Sequence, residues 1–287
     1  MGRAGVISAV VAGALALAVP AAAAGSGQLA YSAGAPSQVF TVGASGGAAR
    51  QITHDAGGAA HPDWSPDGSS VAYDVGGARI AVSDANGGGE RFITLDASAI
   101  DPTWSPDSSR LAFTGPEYDE NGNIEDSSLY VTQADGTNYV RIGDGSEPDW
   151  SPSADWIVYR SNPARSGGCA GIWRMHSDGS GNGAVAAGTP VGDACKGGGS
   201  DPSFSPDGKR VAFVSGDGLA IYWSSIRGGT EHRVVRSAGV KSSPVYSPDG
   251  RSIVYATSSG LWKVSTKGGR PKRIATAGGA YVAWQPR

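Results

Sequence analysis

The sequence lacks most of the features that would place it in a common functional class. Its 287 residues include 2 cysteines and 2 methionines, 17% are charged, and 23 Lys and Arg stand against 26 Asp and Glu for a net charge of −3. Two cysteines without a Cys-X-X-Cys spacing do not make a structural zinc module. With no basic excess, nothing supports nucleic-acid binding. No Gly-rich loop leads from a strand into a helix, which removes the usual phosphate cradle. The 45 glycines follow no triplet period, so a collagen-like chain is excluded.

Long apolar runs are also missing, with one exception. Met1-Gly2-Arg3 is followed by an apolar stretch from Ala4 to Val19, a break at Pro20, and Ala21-Ala22-Ala23-Ala24 as an Ala-X-Ala site. That order of basic start, apolar run and small-residue site reads as a secretory signal. The run is shorter than the roughly 20 residues needed to span a bilayer. Residues 1–24 are therefore expected to be cleaved, leaving 25–287 as an exported chain of the periplasm, envelope or medium with no membrane span. Loss of Arg3 leaves 22 basic against 26 acidic residues, a net charge of −4.

What fills the remainder is a repeat. His61-Pro62-Asp63-Trp64-Ser65-Pro66-Asp67-Gly68, leading to Val71-Ala72-Tyr73, recurs with its aromatic at Trp104, Trp150, Phe204, Tyr246 and Trp284. The spacings are 40, 46, 54, 42 and 38 residues, a period that marks propeller blades built of short strands. Each copy reads as an extended X-Pro start, an aromatic-bearing strand, a Ser-Pro-Asp-Gly turn and a returning β-branched strand. A third strand, a Gly-rich turn and a fourth strand follow. Residues 28–53 hold a unit without its first strand, and the copy at Trp284 holds only a first strand. Together they complete a blade. The expected fold is all-β, a six-bladed propeller of four-stranded antiparallel blades over 25–287, closed by the C-terminal strand joining the N-terminal ones.

The repeated X-Pro-X-Trp-Ser-Pro-Asp-Gly, with its Ile-Ala-Phe-like and Ile-Tyr-Val-like strands and Asp-Gly-Gly turn, resembles the TolB-type propeller repeat across the whole chain after residue 24. Ser108 stands in place of a turn glycine, Ser153-Ala154 in place of Asp-Gly, and Gln285 in place of the serine. The separate N-terminal domain of TolB itself has no counterpart in residues 25–27. The resemblance implies binding of lipoprotein or peptide partners near the central channel.

The residues preceding the strand-opening prolines are His61, Asp101, Glu147, Asp201 and Ser243, with Ala280 or Tyr281 in the sixth position. Because the first strand of a blade is innermost, they should ring the channel mouth. Convergent carboxylates suit calcium or magnesium, with Asp101, Glu147 and Asp201, joined by His61, as the ligand set. Turn-capping hydrogen bonds within each blade are the simpler role for the same side chains.

An acidic insertion on that face, Gly115 to Ser128, carries Glu117, Asp119, Glu120, Glu125 and Asp126. It fails as a calcium loop, since Ile124 and Tyr130 occupy the glycine and glutamate positions, and reads as a solvated hairpin available to a partner. Cys169 and Cys195 fall in loops of the same face and are expected to form a disulfide.

Gly43-Ala44-Ser45-Gly46-Gly47 matches a hydrolase elbow in letters, but it aligns with the hairpin glycines of the other blades and has no helix after it. The resulting expectation is a monomeric, non-catalytic scaffold. It needs no cofactor and docks an envelope or extracellular protein or peptide at the mouth. The alternative is a calcium-dependent lactonase-like hydrolase using the channel.

Overall fold

The computed structural model describes residues 27–93, 98–118, 121, 124–162, 169–191, 194–276 and 278–286, with side chains excepted at 118, 124–125, 188–191 and 194–197. Alternation of short β-branched and aromatic segments with Pro, Gly and Asp turns gives strands throughout. No helix occurs among the described residues.

The first blade consists of β1 (Gln28–Ala33), β2 (Gln38–Gly43) and β3 (Arg50–Gln51). The second holds β4 (Ala59–Trp64), β5 (Ser70–Val75), β6 (Arg79–Asp84) and β7 (Arg91–Phe92), and the third β8 (Ile100–Trp104), β9 (Arg110–Tyr118), β10 (Ile124–Gln133) and β11 (Val140–Asp144). The fourth holds β12 (Ser146–Trp150), β13 (Ile157–Arg160), β14 (Ile172–Met175) and β15 (Gly183–Ala186), after which β16 (Gly188–Val191) and β17 (Ala194–Gly197) form a separate hairpin. The fifth is β18 (Gly199–Phe204), β19 (Arg210–Ser215), β20 (Ala220–Ser225) and β21 (His232–Arg236). The sixth is β22 (Lys241–Tyr246), β23 (Ser252–Thr257), β24 (Gly260–Ser265) and β25 (Lys272–Ala275).

The last strand, β26 (Ala280–Trp284), pairs antiparallel with β1 through Leu29 with Trp284, Ala30 with Ala283 and Tyr31 with Val282. Six four-stranded antiparallel sheets result, and the first blade is closed by the C-terminal strand. The expected ring closure is what the structure shows. The Gly43–Gly47 segment is a hairpin turn, with the Gly46 N–H donating to the Gly43 carbonyl. The hairpin of β16 and β17 was not anticipated, because its Gly, Thr, Pro and Lys residues carry no strand alternation.

The core lies between blades rather than in the centre. Trp64 packs among Ala30, Val39, Tyr73 and Ala283, joining the first blade to the second, and Trp104 packs against Ala72 and Ile80 to join the second to the third. Second strands are covered on both faces, so Val71, Ala72 and Tyr73 are buried together. Replacing Trp104 by Ala empties such a wedge, and a loss of about 3–5 kcal/mol is expected in chemical denaturation. A melt like the parent's would contradict this packing.

The turn after the first strand needs a left-handed third residue. Gly68, Gly208 and Gly250 supply it at φ of 68°, 66° and 67°, while Ser108 and Ala154 are forced to 59° and 62°. A side chain in that region costs about 1–2 kcal/mol, of which the larger chain entropy of glycine returns about 0.5–1. Ser108→Gly and Ala154→Gly should each raise stability by up to about 1 kcal/mol, measured by thermal unfolding.

Candidate functional site

The proline-preceding residues converge as the sequence suggests, but by a different local structure. Each was expected to be extended. Instead His61, Asp101, Glu147, Asp201 and Ser243 take φ between 44° and 56°, and Tyr281 completes the ring at 47°. The ladder between first and second strands shifts register at these points, as between Ala60 and Asp63 or Ser200 and Ser203. This is a bulge led by a left-handed residue, repeated in every blade. Asp and His are among the side chains that best tolerate that backbone, which accounts for part of the residue choice. Tyr281 rather than Ala280 fills the sixth position.

All six residues line a channel of about 270 Å³, and all but Ser243 also line a wider funnel of about 760 Å³ above it. Neighbours are linked around the ring. The Asp201 N–H donates to Glu147 Oε2 at 2.6 Å, and the Ser243 N–H donates to Asp201. Each of these carboxylates therefore caps the bulge of the next blade, not its own turn. The Glu147 N–H donates to Thr114 Oγ1 at 3.0 Å, and Glu147 Oε1 lies 3.7 Å from Arg160 Nη1. Burial and the like charge of Asp201 raise the Glu147 carboxyl, with the Asp201 N–H and Arg160 opposing. Burial likewise raises Asp201.

His61 is held differently. Its Nδ1 bonds Asp74 Oδ2, its Nε2 lies 2.9 Å from Asp101 Oδ1, and its ring packs 3.6 Å from that of Tyr281. Burial alone lowers an imidazole, but the two carboxylates overcome it and raise His61 to about 11. It is an imidazolium at neutral pH with both ring nitrogens donating. His61, Asp74 and Asp101 offer ligand atoms close enough to share an ion, which would have to displace a proton that the imidazolium donates to a carboxylate. Asp101, Glu147 and Asp201 each have an oxygen engaged by a protein donor, which leaves a hard cation their remaining oxygens.

A second tier lies deeper. Asp63 Oδ2 accepts the Trp104 N–H at 2.8 Å and Asp149 Oδ2 the Phe204 N–H at 2.7 Å. Both carboxylates are also bonded by Thr103. Burial raises Asp63 to about 6, against the N–H and hydroxyl donors. It raises Asp149 to about 8, with the Phe204 N–H opposing and the charge of Asp63 adding. Sequence reasoning missed Asp63, Asp149 and Asp74. The available signals were the Pro-Asp-Trp of two copies and an acid inside the otherwise apolar β5.

The acidic insertion is the expected hairpin, with β9 and β10 paired as far as Tyr118 and Ile124. Glu117 is bonded by Arg141 at 3.1 Å, and Asp126 accepts the Ser127 N–H at 2.7 Å. Asp119, Glu120 and the Glu125 side chain lie outside the described residues. Cys169 is buried in the loop before β14, and the Cys195 side chain also lies outside what is described. The remaining histidines are local: His54 meets Gln51, while His176 and His232 stack on Trp156 and Trp223.

No protein-family profile and no curated protein matches the chain. Solved structures do. TolB from Acinetobacter baumannii aligns with a TM-score of 0.73 at 23% identity, over 91% of this chain and 67% of that one. The fold is that of TolB-type propellers. A chain of a nidogen/laminin complex aligns at 0.69 and 11% identity, covering 90% and 98%. An oligogalacturonate lyase in complex with manganese aligns at 0.56 and 15%, covering 84% and 71%. Identities this low carry fold and not activity.

The raised Asp149 gives a pH prediction. A carboxyl whose folded value lies above the unfolded 3.8 costs nothing below pH 3.8. It destabilises progressively as pH rises towards about 8, and fully beyond. Asp149→Asn keeps an acceptor for the Phe204 N–H and removes the charge. The variant should melt above the parent beyond pH 8, with the difference shrinking towards pH 4.

Proposed function

We propose that the chain is an exported, monomeric, non-catalytic propeller that docks a protein or peptide partner at its channel-mouth face. The observation that carries the reading is the state of the mouth. Its acids and its histidine are tied to one another and to the backbone of the next blade, which gives a rigid polar funnel and keeps His61 from serving as a base. An imidazolium held between two carboxylates has no lone pair with which to accept a proton. Val240, 68% exposed on the funnel rim, adds an apolar contact, and Lys241 beneath it is buried, its ammonium donating to the Ser237 and Gly239 carbonyls at 2.9 and 3.0 Å. Apolar points within a polar rim are the make-up of a docking surface.

The likeness to TolB and to a propeller of a nidogen/laminin complex supports a scaffold. The lyase similarity supports the second reading, a metal-dependent enzyme using Asp101, Glu147 and Asp201 with calcium. Export and a Cys169–Cys195 disulfide belong to this proposal, and loss of thiol reactivity after secretion would agree with both.

Alanine at the ring acids would also remove the inter-blade clasps, so the test uses Asp101→Asn, Glu147→Gln and Asp201→Asn together. Partners captured from the envelope and medium of the producing cell are compared between the parent and this variant. Selective loss of one protein by a variant with the parent's melting temperature is the expected result. Equal capture by both sinks the mouth as the docking site, and turnover of a lactone that requires added calcium would replace the scaffold with the enzyme.

A further inference from the structure

The two parts of the ring carry opposite charge. Residues 199–275, the fifth and sixth blades, hold 12 Lys and Arg against 5 Asp and Glu, a balance of +7; residues 28–198 hold 9 against 21, a balance of −12. Such a split within one small domain is a physical signature of an electrostatic surface.

The cations gather at the end of these blades away from the mouth. Lys209 and Arg251 follow the first turn of their blades, and Arg227, Lys267 and Arg270 occupy the turns between third and fourth strands. Those turns are side by side: the Ile226 N–H donates to the Lys209 carbonyl and the Thr266 N–H to the Arg251 carbonyl, each at 3.0 Å. Arg233, Lys272 and Arg273 lie at the start of the outer strands β21 and β25. All of these side chains are exposed. None has an ion-pair partner among the described residues, where the pair in these blades is Arg236 with Asp217 at 2.8 Å. A groove of about 620 Å³ runs through the patch between β21 and the β24–β25 turn, walled by Arg233, Arg236, Pro271 and the open backbone of Gly268 and Gly269.

We propose that this basic edge of the fifth and sixth blades docks on an anionic phospholipid surface, with the Arg233 groove as a seat for a headgroup phosphate. Three observations select that occupant. The cations are numerous, unpaired and spread over turns and outer strands, which suits a layer of phosphates more than a single anion. Among the described residues the exposed large apolar side chains are Phe92, Tyr139, Val140 and Val240, none of them at this end of these blades, so no described residue supplies the apolar centre of a protein interface there. The aromatic faces that a nucleic acid would use are covered, Trp223 by His232 at 4.0 Å and Trp262 by Arg273 at 5.9 Å. The acidic blades on the other side tilt the disc, so contact is made by the edge.

The probe is a phosphatidylcholine vesicle with or without one third phosphatidylglycerol, in co-sedimentation with the full chain. Binding is expected to the anionic vesicle alone, and to weaken at physiological ionic strength. The variant Arg227→Gln, Arg233→Gln, Lys267→Gln, Lys272→Gln should lose about fivefold in affinity per residue replaced. Its melting temperature should match the parent's, since no side-chain hydrogen bond or ion pair among the described residues uses these four cations, and Arg50→Gln with Arg91→Gln, which removes two positive charges from the acidic blades, is the control for the pair Arg227→Gln with Lys267→Gln. No binding to the anionic vesicle, or equal binding by the variant, overturns the proposal. So does binding of poly-glutamate or single-stranded DNA with none to the vesicle. The channel-mouth variant should bind vesicles like the parent, so failure here and failure of the docking reading are told apart.

Discussion

The inner strand of every blade has one edge with no strand beside it. Each N–H along that edge faces a channel too narrow to treat as bulk water, and an unpaired buried N–H is costly. In this chain the missing acceptors come from the previous blade. Glu147 reaches the Asp201 N–H, Asp63 the Trp104 N–H and Asp149 the Phe204 N–H. The acids that look like a cation site are thus also the acceptors that satisfy open sheet edges and tie one blade to the next.

Concentrating acceptors in a narrow channel has an electrostatic consequence. Burial raises both carboxylates that flank Thr103, and the charge of Asp63 adds to it at Asp149, so the two are pushed up to about 6 and about 8. At the mouth the same crowding is relieved by positive charge: His61 lies between Asp74 and Asp101, and Arg160 faces Glu147. The channel therefore alternates between acids neutralised by a cation and acids that tend to keep a proton.

The fold was legible because a propeller writes its period into the chain. Trp64, Trp104, Trp150, Phe204, Tyr246 and Trp284 recur because each must wedge between two blades, and the half-units at the two ends had to meet to bury their edges. The ring of residues before the prolines was legible for the same reason. Their backbone was not, since the proline rule points to an extended residue and the bulge demands a left-handed one. Nor were the partners of His61 and Glu147 legible, because Asp74 and Arg160 come from second strands and reach the mouth only through the pairing of neighbouring strands. The segregation of charge between blades was present in the sequence all along. Without the turns of the fifth and sixth blades placed side by side, it was only a composition.

A side chain that both closes an edge and lines a site cannot be assigned a role by deletion alone. Removing Glu147 takes away the acceptor of the Asp201 N–H, frees Arg160 and alters the charge at the mouth, so a lost partner or a lost activity would follow from any of the three. Replacement by the amide separates them, since glutamine still accepts the N–H while the charge is gone. A function lost on deletion but kept by the amide depends on the architecture, whereas one lost with the amide as well depends on the charge. The same logic applies at Asp201 and Asp101, and it is the geometry of the open inner edge that makes the distinction necessary.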